Sequence, residues 1–268
     1  MLLHNKNAII YGGGGAIGSA IARAFLREGA RLYLAGRHLP KLEAAAAALN
    51  APAGRVNIAV VDALYEQSVE EHAEAVAAEA GSIDIVCNAI GVFHIQGKPI
   101  HELTLEEYEH PIKVYTRTHF ITAKATSRYM KQQGAGVYLC LSTPGSRLPV
   151  EGILGFGAAC AAVEGFTRHL AGELGPSGIR VVCLRPDAMP ETLARGSHAN
   201  EVFSGPASRA GLTPEATLQA HAETGPLLKR LPTLEQVANT AAFMASDQAG
   251  AITGAIVNLT CGSLVDQA

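Results

Sequence analysis

The sequence has few charged residues, no dense basic stretch and no long apolar run. Charged residues make up 17% of its 268 residues, and the formal net charge is −3. Because no basic stretch is dense enough to follow a phosphate backbone, we expect no nucleic-acid partner. The most apolar stretch, residues 152–163, is bracketed by Glu151 and Glu164, and it is too short to cross a bilayer. The composition therefore argues against nucleic-acid-binding and membrane-spanning proteins.

The sequence also lacks the residue patterns of a metal site or of an exported protein. Its five cysteines, at positions 87, 140, 160, 183 and 261, have no metal-type spacing, and four lie in apolar segments. Buried thiols of this kind are typical of a reducing compartment. The ten histidines are scattered. Because the first residues run directly into an apolar strand pattern, we expect no signal peptide. These features predict a cytoplasmic protein without a metal ion.

Short apolar runs alternate with helical patterns along the chain, and hydrophobic residues make up 48% of it. The predicted strands are residues 7–11, 31–35, 56–62, 84–88, 137–142, 179–185 and 255–259. They are almost continuously apolar, as in a parallel sheet whose strands are buried on both faces. This alternation predicts a single α/β domain over residues 1–268, a Rossmann-type, doubly wound fold with a seven-stranded parallel sheet and right-handed crossovers.

Two sequence signals mark helix starts, and one marks an irregularity within a helix. Thr104-x-x-Glu107 and Thr233-x-x-Gln236 have the spacing of capping boxes. Pro111 should distort the helix that begins after Thr104, because it removes a backbone donor and crowds a carbonyl.

Residues 192–232 show no strand pattern and are rich in Gly, Pro, Ser and His. Long segments without strands are uncommon in compact domains unless they are functional. We therefore predict that this segment is a substrate lid rather than a second domain.

A glycine-rich segment follows the first predicted strand and precedes a helical pattern. It comprises Gly12, Gly13, Gly14, Gly15, Ala16, Ile17 and Gly18. Small residues let the backbone approach a pyrophosphate, and a helix N-terminus directs N–H groups and partial positive charge toward it. The order of strand, glycines and helix predicts a dinucleotide site, with a flexible turn that binds nothing as the alternative.

The end of the second predicted strand favours NADP(H) over NAD(H). An acidic residue there would accept hydrogen bonds from the adenosine ribose and repel a 2′-phosphate. The sequence instead has Gly36 followed by Arg37, and an arginine offers a charge-assisted fork to a phosphate. The alternative is that Arg37 is an ordinary solvated side chain.

With the later motifs, the chain resembles the short-chain dehydrogenase/reductase family over nearly its whole length. The glycine segment is similar to that family's Thr-Gly-x-x-x-Gly-x-Gly motif. The sequence Asn-Ala-Ile-Gly at 88–91 resembles its Asn-Asn-Ala-Gly, and residues 186–189 resemble its Pro-Gly segment. The resemblance implies cofactor contacts at Asp62, Ala63, Asn88, Ala89, Gly91, Pro186, Asp187 and Met189. It also implies a homodimer or homotetramer formed through residues 155–174 and the long helix before them.

The chain departs from the family at the positions that carry the chemistry. The family's Asn, Ser, Tyr and Lys positions fall on Tyr115, Thr143, Phe156 and Cys160. The resemblance implies that these four are the residues at the catalytic centre. Phe156 cannot exchange a proton and Cys160 cannot supply a permanent positive charge, whereas Thr143 still offers a hydroxyl. We therefore expect the usual proton relay to be absent.

Other side chains are candidates for the missing chemistry, each with a simpler alternative. Tyr115 is either a relocated acid or a packing residue, and Cys160 is either a nucleophile or a small packing residue. His94, in the loop after the fourth strand, is the best spare general acid, unless it is merely a solvated loop residue. Asp187 and Glu151 would neutralise a positively charged substrate or simply cap a helix.

Three functions fit this pattern. The first is an NADPH-dependent reductase of a small molecule that does not need the missing acid. Its substrate would be an iminium ion resting on the Phe156 ring by cation–π attraction, an activated alkene or a slowly reduced carbonyl compound. The second is an isomerase, dehydratase or lyase on the same scaffold, and the third is a non-catalytic dinucleotide-binding subunit. We favour the first, because the cofactor contacts and the lid-like segment are both kept.

Overall fold

A computed structural model describes residues 1–194 and 197–265 of the chain. Seven parallel strands form one sheet in the order β3-β2-β1-β4-β5-β6-β7. The strands are β1 (Asn7–Tyr11), β2 (Arg31–Gly36), β3 (Val56–Val60), β4 (Ile85–Asn88), β5 (Gly136–Leu141), β6 (Ile179–Pro186) and β7 (Ile256–Leu259). The predicted α/β class and the seven-stranded parallel sheet are therefore confirmed.

Strand β3 ends earlier than the sequence predicts, at Val60 rather than at residue 62. The Asp62 carboxylate accepts the backbone N–H of Leu64, and the Asp62 carbonyl accepts the N–H of Tyr65. Asp62 therefore begins a turn instead of continuing the ladder, because an aspartate side chain competes well for nearby backbone donors.

Helices cover both faces of the sheet. In the described residues they are α1 (Ala16–Arg27), α2 (Leu39–Ala47), α3 (Glu66–Ala80), α4 (Leu105–Gln133), α5 (Leu154–Leu174), α6 (Ala199–Arg209), α7 (Pro214–Thr224) and α8 (Leu234–Ala245). Adjacent strand residues point to opposite faces, so Ile10 joins the core under α1 and α8, whereas Ile9 joins the core under α3, α4 and α5. None of the described helices is long and apolar enough to cross a membrane.

Both predicted capping boxes are present, but the predicted distortion at Pro111 does not interrupt its helix. The side chains of Thr104 and Thr233 each accept the backbone N–H of the residue three positions later. The side chain of that later residue in turn accepts the backbone N–H of the threonine. Helix α4 continues through Pro111 to Gln133 as a single element. Proline removes only one backbone donor there, and Pro111 is one of the buried residues of α4.

The predicted lid segment contains two helices, α6 and α7, and it packs on the loop that follows β4. Residues 195 and 196 of this segment lie outside the described residues. A Cβ added at Gly97 in that loop would lie 3.2 Å from the backbone nitrogen of Pro206. Arg209 at the end of α6 also forms an ion pair of 2.7 Å with Glu102. The segment is therefore anchored to the body of the protein, and its role as a lid remains a prediction.

Candidate active site

A cavity of about 940 Å³ opens at the carboxyl ends of the strands. It begins beside β1 and β4, where the strand order reverses, which is the usual position of a ligand in a doubly wound sheet. The cavity extends from the segment after β2 to helix α7. Its volume lies at the upper end of the range for small-molecule sites.

The glycine segment after β1 is packed too tightly to carry side chains. A Cβ at Gly12, whose φ is +81°, would lie 2.6 Å from the carbonyl oxygen of Ala89. A Cβ at Gly18 would lie 2.2 Å from the carbonyl oxygen of Gly12. Helix α1 begins at Ala16 after an extended Gly15, with no side-chain cap and no acidic residue in its first turn. These features fit a pyrophosphate held at the helix N-terminus.

Most of the predicted cofactor residues line the cavity. Those that do are Gly12, Gly14, Gly15, Ala16, Ile17, Arg37, Asp62, Ala63, Ala89, Gly91, Pro186, Asp187 and Met189. Gly18 and Asn88 instead support the site from behind. The fully buried Asn88 donates from Nδ2 to Thr122 Oγ1 at 3.1 Å and accepts the backbone N–H of Ile90 at 3.2 Å. Asn88 therefore ties the loop after β4 to helix α4.

The end of the cavity beside β2 carries positive charge. Arg37 is exposed at its rim, and Lys41 from α2 lines it as well, although the sequence reasoning missed Lys41. The Cβ of Lys41 would contact a Cβ added at Gly14 at 3.1 Å, so the lysine lies against the glycine segment. The signal that could have revealed Lys41 is its position one helical turn after Arg37.

The five side chains predicted as catalytic candidates meet at the other end of the cavity. The Thr143 hydroxyl lies 3.4 Å from the Cys160 thiol. The His94 ring is stacked on the Phe156 ring, with centroids 3.9 Å apart and planes inclined by 9°. The Tyr115 ring is 6.2 Å from the Phe156 ring. The structure therefore forms one cluster from α4, α5, the segment that follows β5 and the loop after β4.

Burial makes the cluster a poor source of protons near neutral pH. It raises the pKa of the Tyr115 phenol and raises the pKa of Cys160 to about 11. Burial also lowers the pKa of His94 to about 4, despite the hydrogen bond from its ring to the carbonyl of Val92. The other nitrogen of His94 lies 2.9 Å from the side-chain nitrogen of Gln96. His94 is therefore a neutral packing residue whose two nitrogens are engaged, not a solvated loop histidine.

Behind the cluster is a buried ion pair that the sequence reasoning did not find. Arg185 donates to both carboxylate oxygens of Glu164, from Nε at 2.7 Å and from Nη2 at 2.8 Å, and the two side chains are 2% and 4% exposed. Ser142 and Ser146, on either side of Thr143, also donate to Glu164, at 2.8 and 2.5 Å. The sequence feature that could have indicated this ion pair is a glutamate, Glu164, among the apolar residues of α5.

Asp187, predicted as a cofactor contact, is paired within the protein. His221 on α7 lies 3.1 Å from its carboxylate, the backbone N–H of Ala188 donates at 2.7 Å, and the Ser263 hydroxyl donates as well. Burial raises the pKa of Asp187, but the hydrogen bonds from His221 and Ser263 outweigh it and hold that pKa below its usual value. Asp187 therefore offers no free charge to a substrate, and Glu151 remains the exposed carboxylate at the rim.

The sheet, the glycine segment and the helix N-terminus together define a nicotinamide-dinucleotide-binding α/β oxidoreductase. Comparison with known sequences agrees. Residues 14–263 match the family model described as enoyl-(acyl carrier protein) reductase. An oxidoreductase named asL5, from Sarocladium schorii, is 30% identical over an alignment of 265 residues that covers 97% of this chain and 96% of that protein. The chain belongs to the short-chain dehydrogenase/reductase family.

Other relatives agree with this assignment. D-threitol dehydrogenase from Mycolicibacterium smegmatis is 29% identical over 94% of this chain and 90% of its own length. The crystal structure of a levodione reductase superposes with a TM-score of 0.84 at 26% identity and covers 97% of both chains. The fold and the oxidoreductase type are thus shared with proteins whose names give different substrates.

Proposed function

We propose that this protein is an NADP(H)-dependent reductase that works without the tyrosine and lysine relay of its family. Its substrates are then compounds that accept a hydride without a strong acid at this centre: an iminium ion, an activated alkene or, more slowly, a carbonyl compound. We also propose that it acts in the cytoplasm as a homodimer or homotetramer, with residues 192–232 closing over the substrate.

The observation that carries the proposal is the composition and burial of the side-chain cluster at the end of the cavity away from β2. The side chains at the expected catalytic positions, Tyr115, Thr143, Phe156 and Cys160, include no group that releases a proton readily near neutral pH. The tightly packed glycine segment and the uncapped N-terminus of α1 nevertheless suit a bound dinucleotide. Bound NADPH would supply a hydride, which an iminium ion accepts without any proton.

The charges along the cavity support an uncharged or cationic substrate. Among the described residues, its only lysine and arginine side chains are Arg37 and Lys41, at the end that suits the adenosine phosphates. The other end has the aromatic cluster and the exposed Glu151. His94 covers one face of the Phe156 ring, so a cation attracted by that ring would have to approach its opposite face.

A binding and turnover experiment tests the proposal. Calorimetry should detect NADPH binding that is stronger than NADH binding. NADPH oxidation should follow the addition of N-methyl-3,4-dihydroisoquinolinium, a preformed iminium ion, or of 2-cyclohexenone, an activated alkene. If NADPH binds but neither these compounds nor a broad set of imines, enones and ketones is reduced, the proposal is wrong. A non-redox enzyme or a binding subunit would then be favoured.

Restoring the relay provides a matched control. The double variant Phe156→Tyr with Cys160→Lys supplies both missing groups at positions that line the cavity. General acid catalysis contributes about a hundredfold or more to such reactions, so we expect the double variant to gain ketone reduction while each single variant does not. Iminium reduction should not gain in the same way, because that substrate needs no proton and the added lysine charge would oppose its binding. A double variant that reduces ketones no faster than the unmodified protein would contradict the proposed role of these two positions.

A further inference from the structure

We infer that His221 is the proton donor of this cavity and that Asp187 holds and orients it. This inference rests on the proposed reductase function, and it assigns the acid for those substrates that need one. His221 lies on α7 within the segment 192–232, and Asp187 directly follows strand β6. Both side chains line the cavity that contains the predicted catalytic cluster.

The hydrogen bonds of Asp187 fix which nitrogen of His221 carries the bridging proton. A carboxylate can only accept, so Nε2 of His221 must be the donor in its contacts of 3.1 and 3.2 Å with the two oxygens of Asp187. The carboxylate is in turn held by Ser263 and by the backbone N–H of Ala188. Nδ1 is therefore the nitrogen that can release and regain a proton while the ring stays anchored.

The edge of the ring that carries Nδ1 lies beside a glycine. A Cβ added at Gly225 would be 2.9 Å from Nδ1 and 2.8 Å from Cε1 of His221. A side chain at position 225 would therefore collide with this edge, and the absence of one in Gly225 leaves room for the ring in its present position. The His221 side chain is 36% exposed, whereas the Asp187 side chain is only 9% exposed. Within the pair, the histidine is thus the more accessible partner and the carboxylate the more buried one.

His221 also differs from the cluster residues in charge. The hydrogen bond and the charge of Asp187 raise its pKa above the ordinary value and outweigh partial burial, which lowers it. Among the described residues, Asp187 is the titratable group that acts on His221, and Ser263 beside it does not titrate in this range. The opposite holds for His94 and His198, whose pKa values are lowered by burial. Of these three cavity histidines, His221 is the one whose surroundings favour the protonated form.

The reaction balances with this assignment. For an activated alkene, NADPH supplies the hydride to the β-carbon, and the π electrons move to the α-carbon and the carbonyl oxygen. The Nδ1–H bond of His221 breaks, and a C–H or O–H bond forms on the substrate. The histidine is left neutral and regains its proton from water. For a preformed iminium ion, the hydride alone completes the reaction and His221 is not needed.

The two substrate types provide the test. In His221→Gln the side chain still has an amide that can donate to Asp187, so the anchor of α7 is kept while the acid is lost. We expect kcat for 2-cyclohexenone to fall by about a hundredfold and kcat for N-methyl-3,4-dihydroisoquinolinium to change by less than about twofold. An equal loss for both substrates would indicate a purely structural role, and no loss for either would also overturn the inference.

An independent readout does not depend on turnover. The Cε1 proton resonance of His221, assigned by comparison with the glutamine variant, should titrate above the ordinary histidine value of about 6.5. In Asp187→Asn the titration should move to lower pH, because the charge that stabilises the imidazolium is gone. Enone reduction should decline as the pH rises through the pKa of His221. If neither compound is reduced, the proposed function fails, whereas a His221 that titrates at or below the ordinary value overturns this inference.

Discussion

The buried pair of Glu164 and Arg185 is the interaction whose loss should cost the fold most. Replacing Glu164 with Gln keeps the size of the side chain but removes its charge. The amide oxygen can still accept from the two serines, yet the amide nitrogen would face Nη2 of Arg185, which now donates at 2.8 Å. A donor would then oppose a donor, and a guanidinium that is 2% exposed would lose the negative charge of Glu164 beside it.

The expected magnitude follows from that geometry. Removing one partner of a buried pair costs about 3–5 kcal/mol, because the other charge stays buried without compensation. The matched control is Glu79→Gln, whose ion pair with Arg31 is 52% and 30% exposed and should contribute about 0–1 kcal/mol. The chain has no tryptophan, so urea unfolding should be followed by far-UV circular dichroism. If Glu164→Gln loses no more stability than the control, the reasoning is refuted.

A double variant separates the pair from its individual members. When Glu164→Leu and Arg185→Met are combined, both charges leave the interior together. Apolar replacements of buried pairs are often neutral or stabilising, so the double variant should recover most of the stability that either single variant loses. Losses that simply add would mean that the two side chains act independently.

The same pair predicts a sensitivity to acid. Burial raises the pKa of Glu164, but hydrogen bonds from Arg185, Ser146 and Ser142 outweigh it and hold the pKa below the ordinary value. A depressed carboxyl pKa contributes stability above the unfolded pKa of about 4.3 and loses it as the pH falls through the folded pKa. The unmodified protein should therefore lose stability below about pH 4 more steeply than the double apolar variant, as urea midpoints at several pH values would reveal.

Three further predictions concern the glycine segment, the cofactor and a thiol. Gly36→Asp, where an added Cβ would meet only a leucine methyl at 3.6 Å, should weaken NADPH binding by about tenfold or more and favour NADH in calorimetric titrations. Gly18→Ala, whose Cβ would lie 2.2 Å from a backbone oxygen, should destabilise the fold by about 1–3 kcal/mol, whereas Gly172→Ala in open space should not. Cys160, with its pKa raised to about 11, should react with iodoacetamide more slowly than the half-buried Cys261.

The sequence predicts the fold well because its signals are local. Continuous apolar runs and helical spacing identify the strands and helices, and both capping boxes form as their spacing predicts. The difference is at an element end, where a side chain competes with the ladder: Asp62 accepts the N–H of Leu64 and β3 ends early. Pro111 lies inside a continuous α4, and the distortion expected there remains a prediction. Neither outcome follows from a pattern of hydrophobic residues alone.

The candidate site is less predictable, because its chemistry depends on contacts between distant residues. The cluster positions follow from the resemblance, but the stacking of His94 on Phe156 joins residues from different elements. The partners of Asp187 and Arg185 come from α7 and α5. Nothing in the sequence around His221 distinguishes it from nine other histidines, because only the fold brings it to a carboxylate.

Two charged residues, Arg185 and Asp187, lie at the end of β6 beside the aromatic cluster of the cavity. Their partners explain why they add no free charge to that cluster. Arg185 is bound by the carboxylate of Glu164, and Asp187 is bound by His221, which neutralises it when the ring is protonated. Each charge is thus compensated by its own partner, so neither presents an unbalanced field to the aromatic cluster beside it. A cationic substrate would meet no uncompensated positive charge there, and a neutral one would not need to displace an ion. Of these four groups, only His221 is of a residue type that gains or loses a proton near neutral pH. We therefore infer that a proton transferred in this cavity comes from His221.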